Sequence, residues 1–212
     1  MAATQAIAHQ KPVFEKSPRL YSLEEYLRRE AKAVDKHEFY NGIIQKMGNA
    51  KFNHNHIASN TSYSIRKALE ALGDNRFIVL GDGQKIFIES KNVAVYPDCL
   101  VICEKPVFYN GLEYLITNPL VVVEVLSRST AQYDRTDKFS LYKTLPSFKE
   151  YVLIDSLGCE VETCFREEPD LWRFKTETDL AASVTFRALG VSIALSDIYR
   201  KVAFSVKGEQ GV

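Results

Sequence analysis

Two carboxylates stand where a sequence of this kind would not ordinarily place them. Glu124 lies inside the run PLVVVEVLS, flanked by Val121-Val122-Val123 and Val125-Leu126. An ionised carboxylate in so apolar a strand costs several kcal/mol unless it is paired, protonated or bound to a cation, and the strand itself supplies no cation. Asp98 follows Pro97 at the start of the other strongly apolar run, DCLVIC. Proline cannot donate to a ladder and so belongs at a strand start, which leaves Asp98 where a sheet opens onto solvent or a site. On neighbouring strands the two would offer the hard oxygen ligands that Mg²⁺ or Mn²⁺ requires, with water, backbone carbonyl and phosphate completing the shell. Each also has a plainer reading: Glu124 as a strand-end acid meeting a distant Lys or Arg, and Asp98 as turn chemistry after proline.

The elements that would position these residues follow from periodicity and punctuation. Ser22 with Glu25 forms a capping box ahead of Leu23, Tyr26 and Leu27, which predicts a short helix. His37 to Met47 carries Phe39, Ile43, Ile44 and Met47 around Asn41-Gly42, the signature of a tight hairpin. Helical spacing of Ile57, Ile65, Ala68, Leu69 and Leu72, stopped by Gly73, predicts a long helix over 53–72. Three β-rich runs at 76–80, 85–89 and 98–103 suggest an antiparallel meander, and 119–127 reads as a central strand buried on both faces. A helix over 134–145 ends at Pro146, a strand returns over 150–155, and hairpin strands over 159–165, 171–175 and 183–195 lead to a last short helix at 196–199. Residues 1–19, without periodicity and broken by Pro12 and Pro18, read as a mobile arm ahead of a single domain over 20–212.

Composition narrows the classes open to this chain. Hydrophobic residues make up 46% and charged residues 25% of 212, the make-up of a folding globular chain. Lys plus Arg equals Asp plus Glu at 27 each, so nucleic-acid binding through overall charge is excluded and any such footprint must be local. No apolar run reaches the roughly 20 residues of a membrane span, and the N-terminal segment has no signal-peptide core, so a cytoplasmic protein is expected. Cys99, Cys103, Cys159 and Cys164 lack the two-residue spacing of zinc knuckles or redox motifs and are read as reduced packing residues. A Gly-x-Ser-x-Gly elbow is absent, which removes a serine hydrolase. A glycoside hydrolase would use two carboxylates as well, but with Trp172 as its single tryptophan the chain has few aromatic platforms for sugar.

The chain resembles the Uma-type restriction endonucleases, formerly a domain of unknown function, within the PD-(D/E)xK nuclease superfamily. The resemblance runs from about Tyr21 to Tyr199 and rests on the order of LEEYL, HEFYNGIIQKM, HNHI, YPDCLVI, NPLVVVEVLSRST, DRTDKFSLY and KEYVLID. It implies an α/β fold with a central mixed β-sheet flanked by helices, a restriction-endonuclease-like core in the order α-β-β-β-α-β, with extra N-terminal and C-terminal hairpins. It also implies Asp98 and Glu124 as metal ligands, the Val125 carbonyl as a third, and Glu38 completing the acidic cluster, although Glu38 could equally be an exposed hairpin charge. His54 and His56, ahead of the long helix, could contact phosphate or assist proton transfer; His56 matches the family's histidine, whereas a surface or capping role is the plainer reading of His54.

One departure from the superfamily pattern is chemical. A lysine ordinarily stands two residues after the second acid, and here that position is Leu126. Lys138 is the expected substitute, because Asp134, Lys138 and Tyr142 share one helix face, although an ordinary Asp134–Lys138 ion pair fits the same spacing. Lys85 is a weaker candidate. The implied function is a Mg²⁺- or Mn²⁺-dependent endonuclease acting on DNA, with His56, Arg128 and Arg135 among the backbone contacts and a homodimer as the expected assembly. The alternative is a catalytically degenerate protein of the same fold that binds nucleic acid or protein.

Overall fold

A computed structural model of the 212-residue chain describes residues 19–204, so the arm expected over 1–19 lies, apart from Arg19, outside the described residues. Helix α1 (Leu23–Glu30) begins with the expected capping box: Ser22 Oγ accepts from the Glu25 N–H at 3.1 Å and Glu25 returns a carboxylate to the Ser22 N–H at 3.0 Å. Strands β1 (His37–Tyr40) and β2 (Ile43–Lys46) are joined by Asn41 and Gly42 at φ 45° and 100°. Such a two-residue turn needs positive φ at both positions. A Cβ on Gly42 would also come within 3.1 Å of the exposed Leu20 side chain, which would have to give slightly, so the backbone angle is what calls for glycine.

Helix α2 (Phe52–Leu72) ends at Gly73 in the left-handed conformation, as its sequence predicts. Strand β3 (Phe77–Gly81) pairs antiparallel with β6 (Cys99–Cys103) along its whole length, from Phe77 opposite Cys103 to Gly81 opposite Cys99. Between them, β4 (Lys85–Ile88) and β5 (Val93–Val95) leave for a second sheet. The expected meander of consecutive strands is therefore corrected. Its strands are antiparallel, but the β4–β5 hairpin, turned by Asn92 at φ 53°, is an insertion that pairs with β1 and not with β3.

Strand β7 (Leu115–Ile116) lies parallel to β4 and closes the smaller sheet in the order β2-β1-β5-β4-β7. The larger sheet adds β8 (Val121–Leu126), β9 (Glu150–Asp155), β10 (Val161–Glu168) and β11 (Leu171–Glu177) in the order β11-β10-β9-β8-β6-β3. Strands β8 and β9 are parallel, and their crossover is the helical segment α3 (Ala131–Tyr133), a π-helical turn over Asp134–Lys138, and α4 (Phe139–Tyr142). A hairpin of β12 (Ser183–Phe186) and β13 (Val191–Ala194) and the short α5 (Leu195–Ile198) complete the chain.

The result is mixed sheets flanked by helices, stacked in layers by strand alternation. Along β8, Val121, Val123 and Val125 face one side, where they bury against Ile57, Ile65 and Leu69 of α2 and against β13 and α5. Val122 and Leu126 face the other side, where they meet Ile86, Ile88, Val93 and Val95 of the smaller sheet and Phe139 and Tyr142 of the crossover. The smaller sheet's outer face, with Phe39, Phe87 and Ala94, is covered by Tyr26 of α1. Glu124 has the parity of Val122 and Leu126, so it points into the seam between the two sheets.

Candidate active site

The register of β6 with β8 brings the two acids together. Cys99 stands opposite Val123 at the end of the ladder, and Asp98, in the bend just before it, lies near enough to Glu124 for its charge to act there. Asp98 lies just outside β6, and its carboxylate takes over where the ladder stops: Oδ2 accepts the Val125 N–H at 2.7 Å. Pro97, the residue before Asp98, has no N–H and cannot extend the ladder further.

Lys138 stands at the centre of the seam. Its ammonium lies 2.9 Å from Glu124 Oε1, 3.6 Å from Glu38 Oε1 and 3.8 Å from Asp134 Oδ1. Glu38 arrives from the smaller sheet, held by the Tyr96 N–H at 3.1 Å and the Tyr40 hydroxyl at 2.5 Å. The Tyr142 hydroxyl donates to Glu124 Oε1 at 2.9 Å. The cluster is buried, with Glu38, Glu124, Asp134 and Lys138 each 8% exposed or less. Burial pulls the Lys138 ammonium down, but the charges of Glu124, Glu38 and Asp134 outweigh it and hold the proton on. Burial pushes Glu124 and Asp134 up, and Lys138 pulls both back.

The π-helical turn is what brings this helix face to bear. Asp134 and Lys138 bound it and are both buried, whereas an exposed i, i+4 pair would leave its charges in water. Wide turns of this kind are frequent at functional sites because they rotate side chains off the regular helical lattice. The solvated-pair reading of Asp134 and Lys138 is thus replaced by a buried one. Glu38 likewise is no exposed hairpin charge.

Histidine placement differs from expectation. Residues two apart on a helix point in nearly opposite directions, and at the start of α2 it is His54 whose Nε2 reaches Asp98 Oδ1 at 2.8 Å. Burial lowers the His54 imidazole, but the hydrogen bond and charge of Asp98 raise it further. Its Nδ1 is buried without a hydrogen-bond partner among the described residues. His56 instead stacks on Phe52, and its Nε2 meets the Arg200 carbonyl at 2.9 Å. Lys85 is also elsewhere, on the outer face of the smaller sheet, donating to the Tyr96 hydroxyl at 2.8 Å. Arg135 is engaged by Glu160 and Glu162 at 3.0 and 3.1 Å, and Arg128 is exposed just past β8. Sequence reasoning missed Tyr40 as a member of the cluster, gave Asp134 only as an ion-pair partner of Lys138 on one helix face, and favoured a surface or capping role for His54. For Tyr40 the alternation with Glu38 along one strand was an available signal.

The donor set can be tested against a divalent cation. Asp98, Glu124, Glu38 and Asp134 bring four carboxylates to one ammonium and one imidazole, an excess of negative charge in a poorly solvated seam. Both described bonds to Glu124 fall on Oε1, which leaves Oε2 free to serve an ion. Among the described residues no group of three or more His, Cys, Asp and Glu side chains already converges as a metal cage. The chemistry of the donors fits a hard cation, with a shell that would draw on water and backbone as well.

Fold and cluster together define an α/β protein of mixed sheets with a buried carboxylate–lysine cluster between them. A crystal structure from Anabaena variabilis, titled "putative nuclease belonging to DUF820", matches with a TM-score of 0.64 over 84% of this chain and 97% of that one at 15% identity, a likeness of fold. The chain belongs to the Uma2 family, whose model, described as "Putative restriction endonuclease", matches residues 23–196. Two relatives come from Synechocystis sp. "Uncharacterized protein slr1290" is 34% identical over 86% of this chain and 93% of its own length, and "Uncharacterized protein sll1609" is 38% identical over 65% and 76%. No helix among the described residues is long and apolar enough to cross a membrane.

Proposed function

We propose that this chain hydrolyses phosphodiester bonds in DNA with Mg²⁺ or Mn²⁺ held by Asp98 and Glu124. The observation that carries this reading is the hold of Asp98 on the Val125 N–H at 2.7 Å, next in the chain to Glu124, with the Lys138 ammonium 2.9 Å from Glu124. When bound, the cation would supply Lewis-acid polarisation of the scissile phosphate and a water of lowered pKa. Asp98 has one described donor on each oxygen, from His54 and from the Val125 N–H, and keeps a lone pair on each. Glu124 would offer Oε2, with the Val125 carbonyl and Glu38 as further oxygens. Lys138 holds its proton, fixes Glu124 and is the cation available to orient water or offset charge on phosphate. It reaches the seam from the crossover helix and so serves in place of a lysine at the Leu126 position. Arg128, exposed just past β8, would hold a backbone phosphate, whereas Arg135 would have to leave Glu160 and Glu162 to do so; with no net charge behind them the affinity should fall steeply with salt.

A second reading starts from the same cluster. Lys138 lies within 4.0 Å of three carboxylates, and a network neutralised in this way could serve a binding protein that has given up cleavage. Plasmid and single-stranded DNA cleavage with Mg²⁺ and Mn²⁺, alongside calorimetric Mn²⁺ binding, separates the two. Metal-dependent cleavage lost in Asp98→Ala and in Glu124→Ala supports the nuclease. Neither binding nor cleavage by the wild-type chain favours the binding protein, and cleavage untouched by both substitutions removes the site from the chemistry. Normal cleavage by Lys138→Ala would remove the lysine alone.

A further inference from the structure

Strand β1 has two faces, and the second also carries charge. Glu38 points into the acidic seam, while its neighbour His37 points the opposite way, into a cleft of about 610 Å³ between α1 and the β1–β2 hairpin. Arg29, Lys32 and Lys46 line this cleft with His37. Neither Arg29 nor Lys32 has a carboxylate within 4.0 Å among the described residues, and Lys46 pairs with Asp35 on the exposed rim. The Arg29 guanidinium is carried on the face of Tyr21, 4.6 Å from the ring centroid, an arrangement that fixes a cation without neutralising it.

The single acid in the lining is already committed. Glu30 Oε1 accepts from the His37 N–H at 2.9 Å and from the Tyr96 hydroxyl at 2.9 Å, and Oε2 faces His37 Nδ1 at 3.1 Å. Behind it Lys85, buried, donates to the same Tyr96 hydroxyl and balances the Glu30 charge through it. This network orients the His37 ring and leaves Nε2 as the nitrogen available to a ligand. The cleft thus presents more positive than negative charge, beside apolar surface from the half-buried Tyr21 and Ile44. Its volume lies within the range of about 300–1,000 Å³ typical of small-molecule sites.

We infer that this cleft binds a phosphate-bearing aromatic ligand of mononucleotide size, back to back with the acidic seam across β1. Arg29 and Lys32 would take the phosphate as charge-assisted donors, and the exposed parts of Tyr21 and Ile44 would take the ring. The inference is independent of the nuclease reading, because its measurement needs neither metal nor cleavage. Titration calorimetry on the full chain in EDTA, with deoxyadenosine 5′-monophosphate, deoxyadenosine and inorganic phosphate, tests it. The nucleotide should bind more tightly than either fragment. Arg29→Ala/Lys32→Ala, two exposed positions, should weaken it by about tenfold or more, the cost of a lost charge-assisted bond, and Glu124→Gln should leave it unchanged. Absence of nucleotide binding by the wild-type chain overturns the inference. So does equal binding of deoxyadenosine or of inorganic phosphate, nucleotide binding untouched in the double variant, or binding lost in Glu124→Gln, which would locate the ligand in the acidic seam.

Discussion

At the scale of single residues, Lys138 does two things that pull in different directions. Its ammonium is what makes Glu124, Glu38 and Asp134 tolerable together in a seam that excludes water, and it is also the cation nearest to any chemistry there. Removing one partner of a buried ionic group leaves the others uncompensated, which typically costs about 3–5 kcal/mol. Lys138→Met keeps the volume and deletes the charge, so urea unfolding at neutral pH should show a loss of about that size. Adding Glu124→Gln to it should recover part of the loss, since the two sites are in direct contact and cannot be additive. A loss below about 1 kcal/mol, the worth of a surface pair, would mean that the ammonium sits in solvent and not among the acids.

At the scale of elements, carboxylates also hold segments in place without any chemistry. Glu150, at the first position of β9 and fully buried, accepts from the Arg187 and Ala188 N–H groups at 3.0 and 2.8 Å and so pins the turn between β12 and β13 to the central sheet. Burial pushes its carboxyl up to about 7, against an ordinary value of 4.5, even though those two N–H groups and Arg187 pull the other way. Between pH 4.5 and 7 the folded chain keeps a proton that the unfolded chain has released. The stability contributed by this group is therefore fully present below pH 4.5 and is lost as pH rises through 7. The stability of the wild-type chain relative to Glu150→Gln should decline by about 3 kcal/mol across that window, at about 1.4 kcal/mol per pH unit of separation. A difference that stays flat from pH 4.5 to 8 would contradict the shift.

At the scale of the whole molecule, the layers decide which groups are accessible. Burial pushes Cys99 up to about 12, and Cys164 is buried as well, whereas Cys103 and Cys159 are half-buried. A thiol-specific reagent at pH 8 should thus modify at most two cysteines quickly in the folded chain and all four in denaturant. Rapid modification of Cys99 or Cys164, mapped by mass spectrometry, would show that the layers covering the large sheet part in solution.

The line between what was legible in the sequence and what was not follows the range of the interactions involved. The turn at Asn41-Gly42, the stop of α2 at Gly73, the capping box at Ser22 and Glu25, and the double burial of β8 are properties of a few adjacent residues, and each appears in the structure where its residues require it. Asp98 and Glu124 stood out for a related reason: proline and valine neighbours already define an unusual place for a charge. Alternation along a strand fixes that it has two faces but not which strand lies beside it, so the departure of β4 and β5 into a second sheet could not be read locally. The same limit hid the approach of His54 to Asp98 across 44 positions and the meeting of Glu38 with Lys138 across the seam. Those contacts come from packing two sheets and a crossover helix against one another, and their energy depends on burial that exists only once the layers have closed.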